Sequence, residues 1–196
     1  MAYLCLDLSL RCSGWAKFSN DGKLMHKGRI IPDKELNNCF KIHFITERIK
    51  DLFDKVEEVI IEDVYIAKNV KSVILLSRLA GAVVSAWVDY KYKEAHFMNA
   101  SHARALAGIN GHSHKCEVQL HVIDLYGFVE PQIINKYQKE IDSLKKQYKE
   151  KKLERGQYKY RLDKISKNID AETGIGEDQA DAIILGLAFA KEKQNG

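Results

Sequence analysis

The chain has 196 residues, of which 45% are hydrophobic and 30% charged, a balance typical of a globular protein with a sizeable core, and its formal net charge is +4. No stretch reaches the roughly 18 consecutive apolar residues of a membrane span, and the first residues lack a signal peptide's layout, so we expect a cytoplasmic protein without a membrane partner. Four separated cysteines with no CxxC pair argue against structural zinc.

Three β-strands are predicted at the start of the chain. Leucines alternate along the first, from Leu4 to Leu10, with Asp7 among them. The next segment predicts two strands joined by the Asn-Asp-Gly turn at 20–22. A helical period over 35–54 is followed by a strand that ends near Glu62.

The middle of the chain predicts three helices and a further strand. The helix over 70–91 is mostly apolar, and a face of small residues around Gly81 suits either a dimer contact or close packing in the core. The short strand "EAHFMNA" precedes a helix with Ser101 as N-cap and another that ends at Gly127. This order predicts an α/β domain with a mixed sheet.

Residues 131–172 interrupt this pattern. Apolar residues there follow heptad spacing in two runs, which predicts a helical hairpin that turns near Gly156. Residues 135–172 contain 12 Lys and Arg against 7 Asp and Glu, whereas the rest of the chain contains 19 against 20. This local excess favours a nucleic-acid or dimer contact, and a solvated hairpin without a partner is the alternative.

Four carboxylates stand beside apolar segments. Asp178 and Asp181 are three residues apart, hence on one helical face, just before the apolar run 182–190. Asp7 lies within a hydrophobic strand and Glu62 at the end of another. If these elements are neighbours, repulsion prevents all four acids from ionising unless cations bind, and hard oxygen ligands select Mg²⁺ or Mn²⁺. Each acid alone also fits an ordinary strand-end or helix-start position.

The same residues resemble a known family. A strand Asp, a Glu closing a later strand and an Asp-x-x-Asp pair opening a late helix are similar to the ribonuclease H-like superfamily, and within it to the RuvC-type Holliday junction resolvases. Three segments carry this resemblance: "EDVYIAKNVKSVILLSRLAGAVVSA", "ARALAGINGHSHKCEV" and "DQADAIILGLAFA". It covers residues 1–127 and 174–193. The segment "DLSLRCSGWA" departs from it, because the family usually continues Asp-Pro-Gly.

The resemblance implies a ribonuclease H-like mixed sheet flanked by helices. Residues 1–130 and 173–196 would form the nuclease domain, and 131–172 an inserted basic, coiled-coil-like helical hairpin. This insertion has no counterpart that we recognise in the short bacterial enzymes. It therefore looks more like a bacteriophage or viral relative, which would act in the cytoplasm of its host.

The resemblance also implies the site residues. The catalytic and metal-binding set would be Asp7, Glu62, Asp178 and Asp181, which would hold two Mg²⁺ ions per protomer, with Mn²⁺ able to substitute. Lys115 would act near the scissile phosphate. The DNA-binding residues would be Tyr65, Lys68, Asn69, Arg104 and Lys115, and a core position is the alternative for Tyr65.

The implied function is a homodimeric, metal-dependent endonuclease that resolves four-way DNA junctions. Paired nicks would leave 5′-phosphate ends, and no small-molecule cofactor is expected. Two alternatives remain open at this point: a nuclease of the same fold for RNA–DNA hybrids or general branched DNA, and a junction-binding module without catalysis.

Overall fold

A five-stranded mixed sheet forms the centre of the molecule, in the order β3-β2-β1-β4-β5. The computed structural model describes residues 1–64 and 70–195. The strands β1 to β3 are antiparallel neighbours, whereas β4 and β5 run parallel to β1. The strands are β1 Ala2–Asp7, β2 Ser13–Ser19, β3 Leu24–Ile30, β4 Val56–Glu62 and β5 His96–Met98. The predicted mixed sheet is confirmed.

Helices cover both faces of this sheet. They are α1 Asn38–Lys50, α2 Val70–Lys91, α3 Ala100–Leu106, α4 Lys115–Tyr126, α5 Pro131–Lys149, α6 Arg155–Thr173 and α7 Glu177–Asn195. A hydrophobic cluster fills the space on each side of the sheet. One cluster lies between the sheet and the helices α1 and α2, and the other lies between the sheet and α3–α7. Side chains alternate along β1 accordingly, since Leu4 and Leu6 face the first cluster while Tyr3 and Cys5 face the second.

Two predicted details of the helix ends and turns are wrong. Asn99, not Ser101, caps α3, because its side chain accepts a hydrogen bond from the Ser101 amide. The hairpin turns before Gly156, which lies inside α6, and Lys151 takes the left-handed conformation (φ 57°) that the turn requires. The Asn-Asp-Gly turn and the end of α4 at Gly127 (φ 60°) are confirmed.

The helices α5 and α6 pack against the rest of the protein. Their buried side chains belong to the same cluster as α4, α7 and one face of the sheet, and the predicted heptad positions supply six of them: Tyr137, Ile141, Leu144, Leu162, Ile165 and Ile169. Buried Gln119 of α4 joins them, because it donates to the carbonyl oxygens of Ser166 (3.3 Å) and Ile175 (2.9 Å). The hairpin is therefore not a separate solvated arm.

The helix α2 presents an unusually apolar surface. Its inner face buries Leu79, Val83 and Trp87. Among the described residues it is the one helix long and apolar enough to cross a membrane, judged by length and composition alone. Only 22% of its 18-residue apolar segment is buried inside the protein. The search for unbroken apolar runs did not indicate this helix, because Ser, Gly and Arg residues interrupt its apolar residues. Its mean hydropathy is nevertheless high.

Candidate active site

Two carboxylates reach the site from the ends of neighbouring strands. The strands β1 and β4 are parallel, with Leu6 paired to Ile61, so Asp7 and Glu62 end side by side. Cys5 and Ile60, two residues before these acids, belong to the hydrophobic cluster between the sheet and α7. Because side chains alternate along a strand, Asp7 and Glu62 face the same side. The alternation of side chains thus places Asp7 and Glu62 next to each other at the ends of two hydrophobic strands.

The first turns of α7 bring the other two acids. Asp181 lies on the buried face of this helix and is only 8% exposed, whereas Asp178 is half-buried. The start of β2 approaches α7 closely, because a Cβ atom at Gly14 would lie 1.9 Å from the Asp178 carbonyl oxygen. Gly14 is the register partner of Asp7, so this contact sets the distance between the strand acid and the helix acids.

Three of the four predicted acids form one cluster. Carboxylate oxygens of Asp7, Glu62 and Asp181 all lie within 4.8 Å of one another. Asp178 stands outside that group and lines a cleft together with Cys12. Burial and the hydrogen-bonded Asp178 carboxylate raise the pKa of the Cys12 thiol to about 12, so this cysteine stays protonated beside the site.

The electrostatics of this cluster favour protons or cations. Burial, followed by repulsion from Glu62, Asp181 and Asp178, raises the pKa of Asp7 well above its usual value. Burial and Asp181 raise the pKa of Glu62 to about 7, despite the opposing effect of Arg104 and Lys115. Burial also raises the pKa of Asp178. The fold therefore holds these acids where their charges repel each other.

Arg104 binds one of the acids directly. One of its terminal nitrogens lies 2.9 Å from Oδ1 of Asp181, and the other donates to the carbonyl oxygen of Ser113 at 3.2 Å. Its Nε is buried and has no hydrogen-bond partner among the described residues. Arg104, which the sequence predicts to bind DNA, thus contacts Asp181, a predicted metal ligand. The Nε–H donor of Arg104 is unsatisfied within the described part of the chain.

Lys115 begins α4 at the mouth of the site. Its ammonium group lies 3.0 Å from the Glu177 carboxylate at the start of α7. Partial burial would lower the pKa of Lys115, but the Glu177 hydrogen bond and the charges of Asp181 and Asp178 raise it, so Lys115 is a cation at neutral pH. Its side chain remains 49% exposed, which leaves the ammonium group accessible to a phosphate.

Several supporting residues escaped the sequence analysis. Glu177 orients Lys115, and Gln179 fixes the entry to α7 by accepting from the Gly176 amide at 3.1 Å. Ser13 closes the loop after β1, where its hydroxyl donates to the Ser9 carbonyl at 2.8 Å. Gln119 holds the segment that leads into α7. Gln179 lies between the two acids of the Asp-x-x-Asp pair, and this position was a signal in the sequence.

The acid cluster suits a hard divalent cation. It offers only carboxylate oxygens, the ligands that Mg²⁺ and Mn²⁺ prefer, and burial together with mutual repulsion raises the pKa values of Asp7 and Glu62 despite the charge of Lys115. Arg104 supplies positive charge directly to Asp181 and acts on Glu62 at longer range. The residues present therefore fit a divalent metal. Tyr65, Lys68 and Asn69 lie outside the described residues, so their predicted DNA contacts stay predictions.

Comparisons with known proteins agree with this architecture. The family model described as crossover junction endodeoxyribonuclease RuvC matches residues 4–140. A solved structure of Thermus thermophilus RuvC is similar over 100% of this chain and 97% of its own, with a TM-score of 0.65 and 15% identity. A structure of T. thermophilus RuvC in complex with a Holliday junction substrate is similar over 100% of this chain and 97% of its own, with a TM-score of 0.66 and 13% identity. The comparison with curated proteins found no match.

Proposed function

Because this chain belongs to the RuvC family of crossover junction endodeoxyribonucleases, we propose that it resolves four-way DNA junctions by paired, metal-dependent nicks. The observation that carries the proposal is the cluster of Asp7, Glu62 and Asp181, whose carboxylate oxygens lie within 4.8 Å of one another and of which only Asp181 has a direct ion-pair partner, Arg104, among the described residues. A surface that only binds DNA gains nothing from such acids, because they repel phosphates.

Asp7, Glu62 and Asp181 would hold Mg²⁺, with Mn²⁺ able to substitute, and Asp178 at the end of the cleft would complete a set for two ions per protomer. Such ions activate water and stabilise the leaving oxygen of a phosphodiester. The product ends would be 5′-phosphates. The raised pKa values of Asp7 and Glu62 mean that binding of metal would release protons from the site.

The two basic residues beside the acids, Lys115 and Arg104, would have different roles. Lys115, held by Glu177, would bind the scissile phosphate, since its ammonium group is charged and half-exposed beside the acids. Arg104 would hold Asp181 in place and add positive charge beside the acids where DNA phosphates approach. Tyr65, Lys68 and Asn69 would contact the DNA near the junction centre, as the family resemblance implies. These contacts and an action in the cytoplasm, that of a host cell if the protein is viral, stay predictions.

We also propose a homodimer, with α2 as the contact. The exposed side of this helix carries Val70 (63% exposed), Ile74 (45%) and Val88 (38%). Gly81 lies on the same side, and apart from its chain neighbours and the adjacent backbone of α2, no described atom comes within 4 Å of the position its Cβ would occupy. A glycine inside a helix costs about 1 kcal/mol relative to alanine, and close approach of a second helix would account for it here.

Gly81→Leu should convert the dimer to a monomer, because the added side chain would separate the two α2 helices. Light scattering or analytical ultracentrifugation would report the mass. Gly156→Leu is the matched control, since Gly156 is also exposed and in a helix, with nothing described within 4 Å of its Cβ position. A Gly81→Leu protein that keeps the dimeric mass would place the contact elsewhere.

The proposed activity is tested with an immobile four-way junction and a linear duplex of equal length, each incubated with Mg²⁺ or EDTA and resolved on denaturing gels. We expect symmetric nicks in the junction with Mg²⁺ only, and an intact duplex. Cutting of both substrates would indicate a general nuclease of the same fold. Tight junction binding without cutting in Mg²⁺ or Mn²⁺ would indicate a binding module.

A further inference from the structure

A cleft of about 870 Å³ extends from the acid site to the inserted hairpin. Asp178 and Lys115 line it on the nuclease side, and one face of α6 lines the opposite side. The residues of that face are Tyr158, Lys159, Leu162, Asp163, Ser166, Lys167 and Asp170. The hairpin is therefore one wall of a cleft that also borders Asp178 and Lys115.

The helix α6 is held rigidly in this position. Arg29 of β3 donates two hydrogen bonds to the Asp170 carboxylate, at 2.8 and 2.9 Å. His114, directly before α4, lies 3.1 Å from Asp163. The Ser166 hydroxyl donates to the buried Gln119 side chain at 2.6 Å. These contacts span about two turns of α6, so the face that lines the cleft is preorganised for a ligand.

The free charge of the cleft is positive away from the acid cluster. Three of the five acids in its lining are paired with a lysine or arginine, in the pairs Asp170–Arg29, Glu117–Lys145 and Glu177–Lys115. Asp163 contacts His114, whose pKa is lowered by burial, and the fifth acid is Asp178. By contrast, Lys159 and Lys167 have no ion-pair partner among residues 1–64 and 70–195. Their spacing of eight residues corresponds to about 12 Å along the helix.

We propose that Lys159 and Lys167 bind phosphates of one DNA strand that is unpaired where it passes between α6 and the acid site. This inference rests on the proposed function and adds the path of the substrate to it. The cleft volume lies in the range of about 300–1,000 Å³ that holds drug-sized ligands, which suits a few nucleotides of one strand. The ring of Tyr158 in the lining adds the aromatic surface that single-strand sites combine with basic grooves.

The test compares two double variants in the Asp7→Asn background, which prevents cleavage. Lys159→Gln/Lys167→Gln removes the two cleft charges. Lys139→Gln/Lys164→Gln removes the same net charge from exposed hairpin positions outside the cleft. Junction affinity is measured by fluorescence anisotropy over a range of salt concentrations. Loss of two single-strand phosphate contacts should reduce the slope of log K against log salt by about 1.4 for the cleft variant only. Equal slopes for both variants would overturn the proposal.

Competition then tests the unpaired state of the strand. A short single-stranded oligonucleotide should displace the junction from the Asp7→Asn protein better than from the Lys159→Gln/Lys167→Gln variant, and a duplex of equal length should not discriminate between them. Discrimination by the duplex alone would overturn the assignment to an unpaired strand. Failure of the proposed function is a separate result: the unmodified protein would then cut both the junction and the linear duplex, or neither of them, in Mg²⁺, whatever the lysines do.

Discussion

Replacing Asp7 with Asn should abolish Mg²⁺-dependent cleavage of a four-way junction and at the same time raise the melting temperature of the metal-free protein. Cleavage fails because the cluster loses a charged ligand for the metal. Stability rises because Asp7 is held against Glu62 and Asp181, within 4.8 Å, where its charge is desolvated and repelled. Denaturing gels and thermal unfolding in EDTA measure the two effects on one preparation.

The gain in stability should depend on pH, and the sign follows from the raised pKa values. The carboxyl of Glu62 has a folded pKa of about 7 against a usual value of 4.5, and that of Asp7 is raised in the same direction. Between these values the folded protein binds more protons than the unfolded chain, so the stability of the metal-free protein falls as pH rises. The stabilising effect of Asp7→Asn should therefore be larger at pH 8 than at pH 5.

Asp181→Asn is the matched comparison. It also removes a ligand and should also abolish cleavage, but it should lower the melting temperature in EDTA. The reason is Arg104, whose guanidinium, 15% exposed, would lose its carboxylate partner while its Nε is already unsatisfied. Cleavage by the Asp7→Asn protein at close to the unmodified rate would contradict the metal-site assignment. Equal shifts in melting temperature for both variants would contradict the electrostatic account.

The pattern of the sequence predicts those parts of the site that depend on local periods. Alternation along β1 locates Asp7 at the end of a buried strand, and the three-residue spacing locates Asp178 and Asp181 on one side of α7. Hydrophobic heptads likewise predict both hairpin helices and most of their buried residues. Each of these features repeats with the geometry of one element, so a single segment carries enough information.

Contacts between distant segments could not be predicted in this way. The pairs Arg104–Asp181 and Lys115–Glu177 join residues more than 60 positions apart, through elements whose orientation no local period defines. The separation of Asp178 from the other three acids depends likewise on how α7 is rotated against β1. A heptad pattern also does not reveal which surface the hairpin packs against. Because α5 and α6 share a core with α4 and α7, deletion of the hairpin would expose that core, and point variants are the better test of its role.

Gly14→Ala should have the other large effect, on both stability and activity. A Cβ at this position would lie 1.9 Å from the carbonyl oxygen of Asp178 and 2.7 Å from the amide nitrogen of Gln179, and both are backbone atoms that cannot rotate away. The strand β2 or the first turn of α7 must shift, and overpacking of this kind costs about 1–3 kcal/mol or more. For a chain of this size, each kcal/mol lowers the melting temperature by about 2–4 °C.

The same shift would move Asp178 and Asp181 away from Asp7, because Gly14 is the register partner of Asp7. We therefore expect Gly14→Ala to raise the Mg²⁺ concentration needed for cleavage as well as to lower the melting temperature. Gly156→Ala is the control, since no described atom lies within 4 Å of its Cβ position, and alanine should leave stability unchanged or slightly higher in this helix. A Gly14→Ala protein with normal melting temperature and metal requirement would mean that the acids of α7 are positioned independently of β2, and the acid cluster would then need another anchor.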